Sequence, residues 1–322
     1  MGCLFSSLGC LLRLLLVAFL AVTAFCGCNR QKTQEAAAAP SVSSAPVVIW
    51  TNASATTPLL PLLAALPEEE RSLQGWNTTV AFQSLLLGGQ GDFWVGHLEG
   101  FARAYRRGAP LRLLAVTGWR KWQLLAKREM RFPEDFRNGE LPFGPSDGAG
   151  RYLLEALLKE SGEDTIRIAP LDVKPLMLRA LQGQIEFLML PEPFATALCK
   201  KDPAFHRITS LEEIYGAIRH CAPEVPWAGI AVNAHWAQEN PQRVEELLER
   251  MSQWAPASSE EVCALWIPEQ EAFSHITQAE LRDSLANDPV KCTPAKDMVG
   301  EIREFLGIVA PDCEFDEEMI YQ

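Results

Sequence analysis

The sequence predicts an α/β chain of two similar lobes that face each other across a ligand cleft. Three observations predict it. Residues 89–102, GQGDFWVGHLEGFA, have an echo at residues 183–195, GQIEFLMLPEPFA. Both copies run Gly-Gln-x-acid-Phe, a short apolar run, then Glu-x-Phe-Ala, at an offset of 94 residues. The same offset carries the apolar strand and turn at residues 47–57 onto residues 141–151. Between these landmarks, strand-like and helix-like segments alternate, the pattern of a mainly parallel sheet covered on both faces. A chain of 322 residues has room for two such lobes.

The first 28 residues stand outside this pattern. They carry one charge, Arg13, then an apolar run over residues 14–25 broken only by Thr23. That length suits the apolar core of a secretory signal, and an uncleaved N-terminal anchor is the competing reading. Ala24-Phe25-Cys26-Gly27-Cys28 resembles a bacterial lipobox, with small Gly27 before Cys28 as the residue to be acylated and Cys26 as a rival. The expectation is an extracytoplasmic protein held at the cell membrane or in the periplasm by lipid on Cys28. Residues 29–45, polar and then rich in Ala, Pro and Ser, read as a tether with nothing to bury.

Composition narrows the function. The formal net charge is −12 and the isoelectric point about 5.0. A nucleic-acid partner needs a concentrated basic surface, so that class is disfavoured. No zinc-finger Cys-x-x-Cys pair and no His-Glu-x-x-His string occurs. No cofactor is expected, and no reaction. Cysteines 199, 221, 263, 292 and 313 follow the signal. Their number is odd, so one stays unpaired within the chain, and a Cys199–Cys221 bridge would close a short loop.

In chain order, residues 47–50 form a strand. Small and cap-forming residues follow, and Pro58 sits in the first turn of a helix to about Leu66. Residues 79–82 read as a strand and 83–87 as a brief helical turn. Strands follow at 92–95, 111–117 and 122–126, with a helix at 101–107. The second lobe repeats the scheme: strand 141–143, helix 151–161, strand 165–169, helix 173–181, strand 185–190 and helix 194–200. Residues 207–210 and 227–233 return to the first lobe. Mostly helical chain then packs back on lobe one, with Asn240-Pro241 opening a helix over 242–254. Lobe I therefore comprises 46–138 plus 234–322 and lobe II 139–233, with hinge crossings near 136–141 and 228–233.

This order of features resembles the periplasmic solute-binding proteins of ABC importers of the nitrate, sulfonate, taurine and thiamine-precursor type. The matching residues are Gly89 to Asp92 before a strand, Gly108-Ala109-Pro110 before an apolar strand, Gly144 to Gly148 before a helix, Gly183 to Glu186, Glu192-Pro193, and the run NAHWAQENPQRV from Asn233. The resemblance covers about residues 47–251. It implies a two-lobed type II periplasmic-binding-protein fold, a small, anionic solute in the cleft, and partners in an ABC permease and its ATPase. It implies a monomer that performs no chemistry. A same-fold protein for an amine or a heteroaromatic pyrimidine, or a same-fold biosynthetic enzyme, are the alternatives.

In open α/β sheets, ligands sit beyond the carboxyl ends of strands. The candidate ligand-binding residues follow from that. Asn52 and Ser54 lie before one helix, and Ser146, Asp147 and Gly148 before its counterpart. Two such helix starts favour an oxygen-rich or anionic group, and ordinary capping is the competing role. Trp119 follows a strand, with Arg120 beside it to pair a sulfonate or carboxylate. Trp227 is a second aromatic wall or a packing residue. Glu99 and Glu192 precede helices, where a carboxylate is favoured by the helix dipole alone. If they face the ligand, they suit an amine. His97 offers a hydrogen bond to ligand or to its own loop.

Overall fold

The computed structural model describes residues 45–52, 56–266 and 277–322. The segment read as signal, tether and lipidation site, including Cys26 and Cys28, lies outside them, as does Ser54. No described helix is long and apolar enough to cross a membrane.

Two mixed sheets organise the chain. The first half runs β1 (Val47–Thr51), α1 (Thr56–Ala65), β2 (Arg71–Gly75), α2 (Thr79–Leu87), β3 (Phe93–His97), α3 (Leu98–Arg106) and β4 (Leu111–Gly118). The second half begins with β5 (Trp122–Ala126). It then repeats the scheme as β6 (Glu140–Phe143), α4 (Ala149–Glu160), β7 (Arg167–Pro170), α5 (Val173–Leu181), β8 (Phe187–Pro191), α6 (Phe194–Lys201) and β9 (His206–Ser210). The 94-residue echo is thus structural: β3 onto β8 and α2 onto α5 keep that offset at both ends.

The remaining elements are α7 (Leu211–Arg219), β10 (Ala228–Asn233), α8 (Ala234–Glu239), α9 (Pro241–Gln253), α10 (Ser259–Ala264), α11 (Gln278–Ser284), β11 (Thr293–Pro294) and α12 (Val299–Val309). Sheet one has strand order β11-β4-β10-β3-β1-β2 and sheet two β7-β6-β8-β5-β9. β10 lies antiparallel between β3 and β4. β5 lies antiparallel between β8 and β9. Each lobe therefore receives one strand from chain that has just left the other lobe.

This corrects the expected mainly parallel sheet, because the strand inserted from the opposite lobe runs against its neighbours. The strands change sheet between Gly118 and Trp122 and between Ser210 and Ala228. Each expected crossing, 136–141 and 228–233, sits later in the chain than its observed counterpart. Hydrophobic length alone does not reveal which sheet a strand joins.

Local chemistry accounts for the elements. Helix α1, TTPLLPLLAA, is buried on nearly every side, as an all-apolar helix must be. The Arg71 guanidinium from β2 donates to Leu63 O at 2.9 Å and to Leu66 O, closing the carbonyl end of α1. Residues 79–82 are the first turn of α2, not a strand. Thr78 accepts from Ala81 N at 3.1 Å and caps the helix. α7 begins with a full capping box, Ser210 with Glu213.

Apolar side chains cover both faces of each sheet. One cluster joins α1 and α9 across sheet one, and another joins α5 and α6 across sheet two. A third runs from Phe82 and Phe101 in the first lobe to Leu153 and Phe143 in the second, through Trp119, Trp122 and Trp227. Trp122 stacks on Phe143 with ring centroids 4.8 Å apart, and Trp227 meets both Trp122 and Phe305 edge to face. α12 reaches both α3 and α4, so the C-terminal chain packs on both lobes rather than on lobe one alone. The five described cysteines are free thiols, Cys199 and Cys221 among them. Cys221 Sγ instead lies 3.4 Å from Ala222 O.

Gly150, in the first turn of α4, sits flat against Trp122. A Cβ there would lie 2.4 Å from the indole carbons. Gly150→Ala should therefore lower stability by about 1–3 kcal/mol through overpacking, read as a lower urea midpoint at unchanged m-value. An unchanged midpoint would show that α4 does not pack flat against this indole.

Candidate functional site

The carboxyl ends of β1, β3, β4 and β8 and the start of α7 converge where the chain crosses between sheets. Glu212, fully buried, ties the two crossings together. Its Oε1 accepts from Lys121 N at 2.8 Å, Trp122 N at 3.3 Å and Trp227 Nε1 at 2.6 Å. Backbone bonds reinforce this: Trp227 N donates to Gly118 O at 3.0 Å, and Val225 N to Trp119 O at 3.3 Å.

Lys121, only 6% exposed, occupies the first crossing. The charges acting on it are Asp288, Glu192 and Glu212, and burial outweighs all three, lowering its pKa. Glu192 is fully buried at the end of β8. Its N donates to Lys121 O at 2.6 Å. Its Oε1 accepts from Arg207 Nη2 at 2.5 Å and its Oε2 from Thr196 N at 3.0 Å in the first turn of α6. Asp288 arrives from the C-terminal chain, and Thr57 Oγ1 donates to its Oδ2 at 2.6 Å. Burial pushes Asp288 up to about 7 against the pull of Lys121. Burial likewise pushes Glu212 up to about 7 despite its three donors. His97, at the end of β3, is held down to about 4, first by burial and then by Lys121, and is neutral at pH 7.

Of the residues expected from sequence, His97 and Glu192 meet in this nest, both within electrostatic reach of Lys121. Asn52 follows β1 and is partly buried. Trp119 and Trp227 are buried beside the nest rather than open to it. Trp119 Nε1 donates to Lys291 O at 3.1 Å, and Trp227 is held by Glu212. Glu99 lies in the first turn of α3, where burial raises it to about 7. Its Oε2 has no partner among the described residues.

Ser146, Asp147 and Gly148 form the loop before α4. Asp147 is exposed, and Gly148 caps the helix with φ 127° and no side-chain bond. Ser146 stands in a Gly-x-Ser-x-Gly string, residues 144–148. Its hydroxyl donates to Asp172 Oδ1 at 2.6 Å, and no histidine bonds it among the described residues, so it lacks the base of a nucleophile elbow. Sequence reasoning missed Lys121, Glu212, Asp288 and Thr57. Only Glu212 left a trace, one position inside the Ser210–Glu213 capping box. Two surface hollows, of about 460 and 560 Å³, lie elsewhere, against Tyr152 and Asp312 and against Arg112 and Tyr321.

The nest holds polar groups that can orient a small molecule by charge and hydrogen bonding, in a mostly dry aromatic setting. Among the described residues, no cluster of three or more His, Cys, Asp or Glu side chains is arranged to hold a metal ion.

The carboxyl groups raised to about 7 set a pH dependence. Native Glu99, Glu212 and Asp288 hold protons that the unfolded chain has lost above about pH 4.5. The stability they contribute is full below pH 4 and is lost as pH rises through 7. His97 acts oppositely, its share being lost as pH falls from 6.5 through 4. The three carboxyls outweigh it, so Tm should fall between pH 5.5 and 8. Glu212→Gln, which keeps an acceptor but cannot ionise, should flatten that slope, and an identical slope would refute the assignment. Glu212→Ala orphans three buried donors and should cost about 3 kcal/mol or more.

No protein-family model matches the chain, and no curated protein matches it. Solved structures do share its fold. An ABC transporter structure from Parabacteroides distasonis aligns with a TM-score of 0.66 at 13% identity, covering 87% of this chain and 99% of that one. The periplasmic aliphatic sulphonate binding protein SsuA from Escherichia coli aligns at 0.65 and 13% identity, covering 87% and 93%. The zinc-bound ligand binding component of an ABC-type import system from Staphylococcus aureus aligns at 0.64 and 11% identity, covering 87% and 96%. At these identities the likeness is one of fold: two lobes of the periplasmic-binding-protein type.

Proposed function

We propose that this chain is an extracytoplasmic solute-binding protein that captures a small solute between its lobes and delivers it to an ABC importer. The observation that carries the reading is the duplicated half, whose strand ends meet in one polar nest at the crossings. Such a layout suits hinge closure around a ligand. The shared fold with import components supports the same reading.

The solute we favour is a small organic or inorganic anion of the sulfonate, nitrate or taurine kind. Lys121 supplies buried positive charge. Arg120, partly buried beside it, forms no hydrogen bond or ion pair among the described residues. Glu192 is already neutralised by Arg207, and Glu212 and Asp288 are partly protonated near pH 7. A second reading, an amine or heteroaromatic solute, draws on the same three carboxyls and on Trp119, Trp122 and Trp227 around them. We further propose that the mature chain is a monomer tethered through lipid on Cys28.

Isothermal titration against sulfonates, taurine, nitrate and pyrimidines separates the two solute classes. The anion reading expects binding that tightens from pH 8 to pH 6 as Asp288 and Glu212 take up protons, and that weakens about tenfold or more in Lys121→Ala, the loss of one charge-assisted contact. Saturation by pyrimidines with indifference to sulfonates would select the other class, and silence across the panel would remove the transport reading. Cys28→Ser should release the protein from the membrane fraction and abolish labelling by palmitate. Retained labelling would move the anchor to Cys26.

A further inference from the structure

Residues 277–294 form a strap that lies over both lobes. Its inner side reaches the nest: Asp288 is 2% exposed and accepts from Thr57 Oγ1 in the first turn of α1. Lys121 stabilises that carboxylate while Glu192 opposes it. Its outer contacts are exposed ion pairs with the second lobe and the second crossing. Lys200 Nζ on α6 lies 2.5 Å from Asp283 Oδ2 and donates to Ala279 O at 3.1 Å. Lys291 Nζ lies 2.6 Å from Glu224 Oε2. Exposed pairs of this kind hold weakly and are screened by salt. Two buried hydroxyls in the same region, Thr56 Oγ1 in the first turn of α1 and Thr117 Oγ1 at the end of β4, have no hydrogen-bond partner among the described residues. A carboxylate at a helix start, beside a buried ammonium and spare hydroxyl donors, has the surroundings of a bound anion.

We propose that Asp288 is a built-in surrogate for the anionic group of the solute, so that binding requires the strap to swing out and its carboxylate to be exchanged for that of a small monoanion. The inference rests on the solute-binding reading and deepens it. The strap sets affinity by competing within the molecule, and specificity narrows to groups the size of a carboxylate or sulfonate. Lys200 acts at the outer end, where its loss removes one tie and loosens the strap without touching the nest, while the Trp119 Nε1–Lys291 O bond and β11 on β4 still hold its other end.

The test is thermal unfolding and titration of the full chain with sodium acetate and sodium methanesulfonate, against sodium chloride at equal ionic strength. Asp288→Ala should gain about 3 °C or more from either organic anion beyond chloride, and the wild type should not. Asp288→Asn, which fills the space and offers Thr57 an acceptor but carries no charge, should gain less than Asp288→Ala and no less than the wild type. Lys200→Ala should bind methanesulfonate about tenfold tighter than the wild type. If Asp288→Ala fails to fold in chloride, acetate should restore a cooperative transition. Equal responses of Asp288→Ala to acetate and chloride, or wild-type affinity in Lys200→Ala, would overturn the proposal. Rescue of Asp288→Ala by acetate with no transported solute found for either protein would uphold the surrogate and refute the transport reading. Tight wild-type binding that Asp288→Ala abolishes would do the reverse.

Discussion

Glu212 is the contact on which the arrangement of the two lobes depends. One buried carboxyl oxygen gathers the backbone of the outgoing crossing, Lys121 and Trp122, and the indole of the returning one, Trp227. The two crossings are far apart in sequence, and without a common acceptor each would leave buried N–H groups unsatisfied at the junction. Burial of the carboxylate is costly, as its raised pKa shows. The three donors offset part of that cost, and geometry does the rest: strands β5 and β10 leave the junction in opposite directions, each into the other lobe's sheet. The junction between the lobes and the floor of the nest are therefore built from the same residues.

That coupling explains the electrostatics. Lys121 cannot leave the nest without moving the strand that follows it, and Glu192 is bonded to its carbonyl. The charges are held in place by the fold rather than by mutual attraction, which burial outweighs for both Lys121 and Asp288. Charged groups fixed in this way are poised to respond to a ligand's charge, because little reorganisation is needed when it arrives.

Much of the fold was legible in the sequence, for physical reasons. The repeat preserved Gly89 and Gly183, both at positive φ before equivalent strands, where side chains are strained. Strands such as Leu111–Gly118 and Trp122–Ala126 are apolar because both faces are buried. β2, RSLQG, escaped notice because it is an edge strand with no apolar alternation. Residues 79–82 looked like a strand from their composition, and the Thr78 cap decided for helix. The site was less legible. His97 and Glu192 stood out because they lie in matched turns, residues 96–99 and 191–193, after equivalent strands. Asp288 did not, because its partner Thr57 is 231 positions away and nothing local marks it. Ion pairs and hydrogen bonds across such separations follow from topology, which hydrophobic periodicity does not encode.

The central claim is that one junction, clasped by Glu212, fixes how the two lobes are joined. Pulsed electron resonance between spin labels at positions 80 and 178 tests it most directly. Val80 on α2 and Leu178 on α5 are 77% and 56% exposed, and their helices are counterparts in the two lobes. The labels should be carried on non-cysteine side chains, since Cys221 is exposed. The account predicts one narrow distance distribution in the wild type and a broad or shifted one in Glu212→Ala. Identical narrow distributions in the two proteins would contradict it.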